Sequence, residues 1–277
     1  MRLSYLALSL LSFFPLDAPA QRRDRIGFSY TYEGSAGLSD GGTLALRETE
    51  FRTGYPVWRK DTSALIPGVR WARYDFLAPD QKLGNKTLYS LRFPIRYTRS
   101  SSNAWSVFYL LTPALRTDFE SLTSDDLGMN AMAIAVRPLN DHWSLSGGIV
   151  YGQDFGRTRI YPALGATWRP DEAWSVELLF PRPRIAYRAG DDVEWQLSLE
   201  PGGDQWNVEL PRGERDVALS EFRAGLGVDW RVRKQLRLIG QVGAVFNREL
   251  ESRDGRRRES SVDVEDAAFI RLGFAIE

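Results

Sequence analysis

The chain has 277 residues, with 36 basic and 36 acidic side chains, one histidine and no cysteine. Formal neutrality gives no long-range field for nucleic acid, so no nucleic-acid partner is expected. Without cysteine no disulfide framework exists, and one histidine leaves no ordinary zinc ligand set.

Arg2, the apolar run "LSYLALSLLSFFPL" and Ala18-Pro19-Ala20 predict a signal peptide over 1–20, cleaved before Gln21, and a single domain over 21–277. The run is too short to be a membrane-spanning helix, and Asp17 follows it. No later segment approaches 18 consecutive apolar residues, yet aromatics make up 12% of the chain, with nine Trp and 24 Gly. An exported chain this aromatic, with no apolar block, points to a membrane β-barrel.

Period-2 alternation then recurs almost to the end. In "RIGFSYTYE", Ile26, Phe28, Tyr30 and Tyr32 oppose Gly27, Ser29, Thr31 and Glu33. In "TLYSLRFPIRY", Tyr89, Leu91, Phe93, Ile95 and Tyr97 oppose Ser90, Arg92, Pro94 and Arg96. "HWSLSGGIVYG", "EFRAGLGVDWR" and the last strand, Ile270 to Ile276, repeat the pattern. Strands are predicted at 25–34, 43–56, 63–77, 86–98, 104–118, 126–138, 143–153, 158–169, 173–180, 184–189, 193–201, 217–231, 234–248 and 265–276. The expected fold is all-β, an antiparallel transmembrane β-barrel of 14 strands, with 12 as the alternative. The strands at 43–56 and 63–77 alternate poorly; "ALRETEFR" has no continuous apolar face.

Trp105, Trp143 and Trp174 each follow a short polar turn, and these turns are assigned to the periplasmic side. In "LLFPRPRIAYR", Pro181 and Pro183 both lack a ladder donor on the same side of the chain, so Phe180-Pro181-Arg182-Pro183 is read as a turn at the outer rim. "RELESRDGRRRESSVDVED" reads as the longest outer loop.

"LLFPRPR", "LEPGGDQWNVE" and "SGGIVYGQDFGRTRIYPALGATWRP" resemble a family of bacterial outer-membrane β-barrels classed only as a domain of unknown function. The likeness spans about residues 60 to 277 and implies a Gram-negative outer-membrane barrel with no established activity. Barrels of this type usually end in an aromatic residue read by the barrel insertion machinery, an implied partner. This chain ends Phe274-Ala275-Ile276-Glu277.

Candidate sites follow from the register. Tyr89, Tyr97, Trp105, Trp143, Tyr151, Trp174 and Trp230 are expected at the lipid interface, against outer-membrane lipids. Arg92, Arg96, Glu177, Arg184, Arg188, Glu194, Glu200, Glu221, Arg223, Asp229, Arg231, Arg237 and Arg271 are then expected to line the lumen. The opposite register would put the arginines into hydrocarbon, at about 2–4 kcal/mol each near the midplane. The excess of arginine over carboxylate on these strands predicts a weak anion preference for any pore, most of which Glu48 and Glu50 would cancel if they too face inward. "GRRR", ending in Arg256 to Arg258, is either a lipopolysaccharide-phosphate site or a solvated loop balanced by Glu249, Glu251, Asp254 and Glu259. His142 beside Ser144 is the only pairing with an enzymatic flavour, and neighbours along a turn are weak evidence for a triad. No catalytic, cofactor or metal site is expected. The function read first is a passive channel for small polar solutes, the second a closed structural or surface-interaction barrel, and the third a membrane enzyme.

Overall fold

A computed structural model describes residues 26–78, 84–100, 105–152, 158–210, 213–254 and 257–277, with backbone alone for 254 and 257–259. The predicted signal segment, 1–20, lies outside the described residues. The described strands are β1 (Ile26–Gly37), β2 (Thr43–Gly54), β3 (Trp58–Lys60), β4 (Ser63–Leu77), β5 (Lys86–Arg92), β6 (Ile95–Ser100), β7 (Ser106–Thr117), β8 (Leu127–Pro138), β9 (Trp143–Gly152), β10 (Arg159–Trp168), β11 (Trp174–Leu179), β12 (Arg184–Ala189), β13 (Val193–Leu210), β14 (Gly213–Arg233), β15 (Leu236–Asp254), β16 (Arg257–Val264) and β17 (Ala267–Ile276).

Each strand runs antiparallel to its wall neighbours, and β1 pairs with β17 from Ile26↔Ile276 to Glu33↔Phe269, closing the ring. Three spans are split: β2 and β3 share β4, β5 and β6 share β4 and β7, and β16 and β17 share β15. The seventeen segments therefore make fourteen wall crossings, as the alternation predicts. Proline causes one of the splits. Pro94 cannot donate, but its carbonyl accepts from Gly68 N–H at 2.8 Å, and Phe93 N–H reaches Pro113 O at 2.9 Å, so the ladder continues across it.

One end of the barrel carries both described termini and the short turns. Side-chain caps hold these turns: Asn140 Oδ1 accepts the N–H groups of His142 and Trp143, and Asp171 Oδ1 those of Ala173 and Trp174. Around this end Trp58, Trp105, Trp143, Trp168, Trp174, Trp195 and Trp230 are exposed on the outside, seven of the nine tryptophans. Above them the exterior is Leu, Ile, Val and Phe, as at Leu145, Ile149, Leu226 and Leu272.

The far end differs from the simple tube that the sequence predicts. β13 and β14 extend to 18 and 21 residues, well beyond the predicted ends at 201 and 217. They fold inward together, while β14 stays paired with β15 as far as Asp216↔Arg253. Past Pro201, Gly203 takes φ +85, and a Cβ built there would lie 2.0 Å from Leu219 O. β13 crosses the ring, where its Asn207 bridges Thr117 of β7. Trp206, Val208, Val217 and Leu219 pack against Leu44 and Leu46 of β2, Tyr74 and Phe76 of β4 and Leu88 of β5. Trp206 is completely buried, with ring centroids 4.9 Å from Tyr74 and 5.6 Å from Phe76.

This packing explains the poor alternation of the second strand. Its inner stripe runs Leu44, Leu46, Glu48, Glu50, apolar where the hairpin covers it and charged below. The structure also corrects two outer connections. Most of "RELESRDGRRRESSVDVED" is not loop: β15 and β16 pair from Arg248↔Val264 to Asp254↔Arg257. Its polar sides hide the strand signal. The Pro181–Pro183 turn is not at the rim. Arg182 N–H closes it on Leu179 O at 2.6 Å, but β11 meets β10 only between Gly165↔Leu179 and Trp168↔Val176, so the turn stops partway up the wall.

Gly203→Val is expected to displace the hairpin but leave the ring. Limited proteolysis of the folded barrel should gain cuts within 204–218, while Gly147→Ala, which has ordinary space, should gain none. Trp206→Ala should cost about 3–5 kcal/mol in denaturant unfolding.

Candidate functional site: a filled lumen and a broken wall

Below the apolar layer, the interior is a set of ion pairs that link distant walls. Arg223 on β14 bonds Glu33 on β1 at 2.7 Å, Glu48 on β2 at 2.9 Å and Glu221 on its own strand at 2.8 Å. Arg248 on β15 reaches the same Glu33 at 2.7 Å and Glu221 at 3.2 Å. Arg271 bonds Glu200 at 3.0 Å, Gln241 at 3.1 Å and Thr31 at 3.0 Å. Asp204, at the bend of the folded-in hairpin, holds Arg92 on β5 and Arg116 on β7, the latter at 2.8 Å. These pairs span the ring, because β13 and β14 lie opposite β5 and β7.

Nearer the termini, Arg184 bonds Glu194 at 2.6 Å and Gln196 at 2.9 Å, with Glu177 at 3.7 Å. Arg188 lies 3.9 Å from Glu194, with its side chain 46% exposed. Arg237 is fully buried between Asp229 and Glu277, 3.1 Å from the latter. Arg96 sits 5.8 Å over the Phe108 ring, and Arg231 donates to Asp191 O at 3.4 Å. The groups expected in the lumen therefore fall in several networks, not one site. The expected lumen set lacks Glu33, Asp204, Arg70, Arg116 and Arg248 and leaves the facing of Glu48 and Glu50 open; all seven are engaged in these networks. Four more carboxylates and three more guanidiniums reduce the arginine excess behind the anion expectation. Their signal was weak: Glu48 and Glu50 lie on the strand with the poorest alternation, and Arg248 and Asp204 lie where strands were ended too early.

The aromatics expected at the interface fall into two groups. Trp105, Trp143, Tyr151, Trp174 and Trp230 are exposed. Tyr89 and Tyr97 are half-buried; Tyr89 packs 6.4 Å from Trp71 and 5.1 Å from Phe119, and Tyr97 lies 6.2 Å from Tyr109. His142 Nδ1 lies 2.8 Å from Arg169 O, tying two turns together, while Ser144 is buried on the inner face, so the pair does not form a catalytic arrangement. The side chains of Arg256 to Arg258 lie outside the described residues.

The wall itself is interrupted. Phe180 N–H donates to Leu164 O at 3.1 Å, and Leu199 N–H to Pro183 O at 3.1 Å. Those are the last bonds that the β11–β12 hairpin makes. Beyond them β10 runs on to Arg159 and β13 to Leu210, with no strand of the described residues between them. In a strand, residues two apart direct their backbone groups to the same side. Pro162 therefore faces the break as Leu164 faces β11, and Pro201 faces it as Leu199 faces β12. With Pro181 and Pro183 in the turn, all four backbone nitrogens lack a donor that would have been orphaned. A cavity of about 510 Å³ occupies the break. Behind it, on the inner wall, Met132, Ile134, Val136, Val150, Ala163 and Leu179 form an apolar patch with Phe108, Leu110 and Tyr161 packed on it.

The model of one family, described as "Domain of unknown function (DUF6268)", matches residues 62–269. The chain belongs to this family. No curated protein matches it. Among solved structures the chain is similar to the COG4313 outer membrane channel from Pseudomonas putida F1, at 12% identity, covering 91% of this chain and 94% of that one, with a TM-score of 0.49. It is similar to the KdgM porin at 11% identity, covering 91% and 98%, with a TM-score of 0.42. It is similar to the NanC porin at 7% identity, covering 91% and 99%, with a TM-score of 0.44.

The Arg223 network yields a prediction. Arg223→Leu leaves Glu33, Glu48 and Glu221 short of a buried counter-charge and should cost about 3–5 kcal/mol in denaturant unfolding. The triple change with Glu48→Leu and Glu221→Leu should recover much of that loss. A loss below about 1 kcal/mol for the single variant would mean that the network carries little.

Proposed function

We propose that the chain is an outer-membrane barrel of the channel type, held closed in this conformation by its own β13–β14 hairpin. The observation that carries the reading is Trp206, completely buried inside the ring against Tyr74 and Phe76 of the opposite wall. A hydrated solute would have to shed its water to cross that layer, at a cost of several kcal/mol for each polar group left unpaired. The seven-tryptophan girdle and the apolar exterior support a membrane setting, and the export segment read over 1–20 supports the outer membrane. A permanently open pore for polar solutes fits this interior poorly. A pore that opens when the hairpin moves fits it well, and a barrel that never opens is the second reading, favoured by the ion pairs that clamp Asp204.

Fractionated cells should hold the mature protein, starting near Gln21, in the outer membrane with heat-dependent gel mobility; recovery in the soluble fraction would end the membrane reading. Planar-bilayer recordings test the closure. The full chain should show no steps or brief small ones. Replacing residues 205–218 by Asn-Gly joins the paired positions Asp204 and Leu219 in a short hairpin and should give large, stable steps. Trp206→Gln, a milder change, should raise the opening frequency. Full-length steps as large as those of the shortened chain would contradict closure by the hairpin.

A further inference from the structure

β13, β14, β15 and β16 all change course at one level. β13 bends at Gly202-Gly203, where Gly203 has φ +85 and faces Ser220. β14 and β15 lose register between Ser220 and Phe222, where Asn247 takes φ +52. β15 also changes partner there: it pairs with β17 up to Val245↔Ala267 and with β16 from Arg248↔Val264. Glu265 and Asp266 separate those two strands. A bulge kinks a strand, and a glycine has no Cβ to resist the bend, so these aligned irregularities crease the sheet along one line. Arg248 pins the crease from inside. Its side chain is fully buried and bonds Glu33 on β1 at 2.7 Å, Glu221 at 3.2 Å and Glu265 O at 3.5 Å.

Above the crease the four strands stay paired, from Asp204↔Leu219 to Leu210↔Gly213, from Asp216↔Arg253 to Ser220↔Glu249, and from Arg248↔Val264 to Asp254↔Arg257. On one flank of this sheet β12 has ended, and above the Leu199–Pro183 bond β13 bridges a described strand of the wall only at Thr117, across the lumen. On the other flank β16 meets the β1–β2 turn at its base, by the Leu38↔Val264 bridge and by bonds from Ser39 N–H to Asp263 O at 3.0 Å and from Glu265 N–H to Gly37 O at 2.9 Å. The far end is held across the lumen by a polar clamp. Lys86 donates to Glu209 O at 2.8 Å, and Asp118 accepts Glu209 N–H at 3.0 Å while pairing with Lys86 at 2.8 Å.

We propose that the sheet above the crease is a rigid lid. β13, β14, β15 and β16 turn as one body about the crease, with Arg248 at the pivot. Opening breaks the Lys86–Glu209–Asp118 clamp and the Asp204 pairs, and lifts Trp206 off Tyr74 and Phe76. Hinges of this kind place the backbone change in a few residues at the ends of elements and leave the paired elements intact. The wall break gives the β13 edge clearance to move without tearing ladder bonds. Peeling the β13–β14 hairpin off β15 would instead cost the pairing from Asp216 to Ser220. The inference rests on the reading that the hairpin closes the lumen.

Two disulfide locks test it in planar bilayers, in the full chain carrying Trp206→Gln so that openings can be counted. The chain has no cysteine of its own, so each engineered pair is unambiguous. Asp216→Cys with Arg253→Cys joins the hairpin to β15. Opposed residues of antiparallel strands have Cα atoms about 4.5–5.5 Å apart, within disulfide reach. A lid that moves as one body should open as often after mild oxidation as after reduction, within about two-fold. A drop of about ten-fold or more on oxidation would mean that the hairpin peels from β15, and would overturn the lid with closure by the hairpin intact. Thr117→Cys with Asn207→Cys ties the lid to the opposite wall. Its oxidation should abolish opening, and a reductant should restore it. Openings that survive this second lock would count against closure by the hairpin itself. Spin labels at Ser260 on β16 and at Ser124 beside the opposite wall give an independent reading. The Trp206→Gln chain should show a second, longer distance, populated about five-fold less when Trp206 is kept. A single unchanged distance would leave β16 fixed and overturn the lid.

Discussion

A barrel in lipid must leave no backbone donor or acceptor without a partner, because no water is present to take it. This chain meets the requirement at its seam, where β1 and β17 pair over eight registered positions. Among the described residues it departs from it where the β11–β12 hairpin stops short of the rim. Each strand in that hairpin has six residues, and the neighbours on either side continue beyond it. Placing Pro162, Pro181, Pro183 and Pro201 around the exception removes donors that would otherwise be stranded. Carbonyls remain, but a carbonyl tolerates under-pairing better than an N–H.

The filled interior follows from that departure. Once β12 has ended, β13 has a wall partner on one side only. At Pro201-Gly202-Gly203 it bends, and β14 goes with it because the two stay paired to Leu210↔Gly213. The bent hairpin brings two kinds of side chain inward. Trp206, Val208, Val217 and Leu219 gain burial against the apolar stripe of β2 and β4, as they would in the core of a soluble protein. Asp204 gains Arg92 and Arg116, charges that the opposite wall could not leave unpaired. Closure of the lumen and opening of the wall are thus two results of one short hairpin.

Much of the wall was legible from period-2 alternation, and the fourteen crossings match segment for segment in their centres. The inward reading of eight arginines came from the cost of an outward guanidinium at mid-membrane depth, and Arg70, Arg116 and Arg248 escaped it. What alternation cannot report is which neighbour a face meets. Trp206 and Val208 alternate with Gln205 and Asn207 in the same way whether the strand stands in the wall or lies across the lumen. Leu44, Leu46, Glu48 and Glu50 share one face, and only the hairpin above them explains why that face changes chemistry halfway. Height is equally hidden. Pro181 and Pro183 announce a turn, but that it stops level with Gly165 depends on pairing between strands far apart in sequence. The triplet Pro201-Gly202-Gly203 was the one local sign of a bend.

The central claim is that the β13–β14 hairpin lies across the lumen and touches the opposite wall. The most direct measurement is a cysteine pair at Thr117→Cys and Asn207→Cys, positions that face each other in the one bridge between β7 and β13. Their Cα atoms should lie within the roughly 4.4–6.8 Å that a disulfide needs. Mild oxidation in native membranes should link most molecules, as rapidly as the adjacent-wall control Leu145→Cys with Ala166→Cys. Efficient linkage of the control with none between 117 and 207 would place the hairpin outside the lumen and contradict the account.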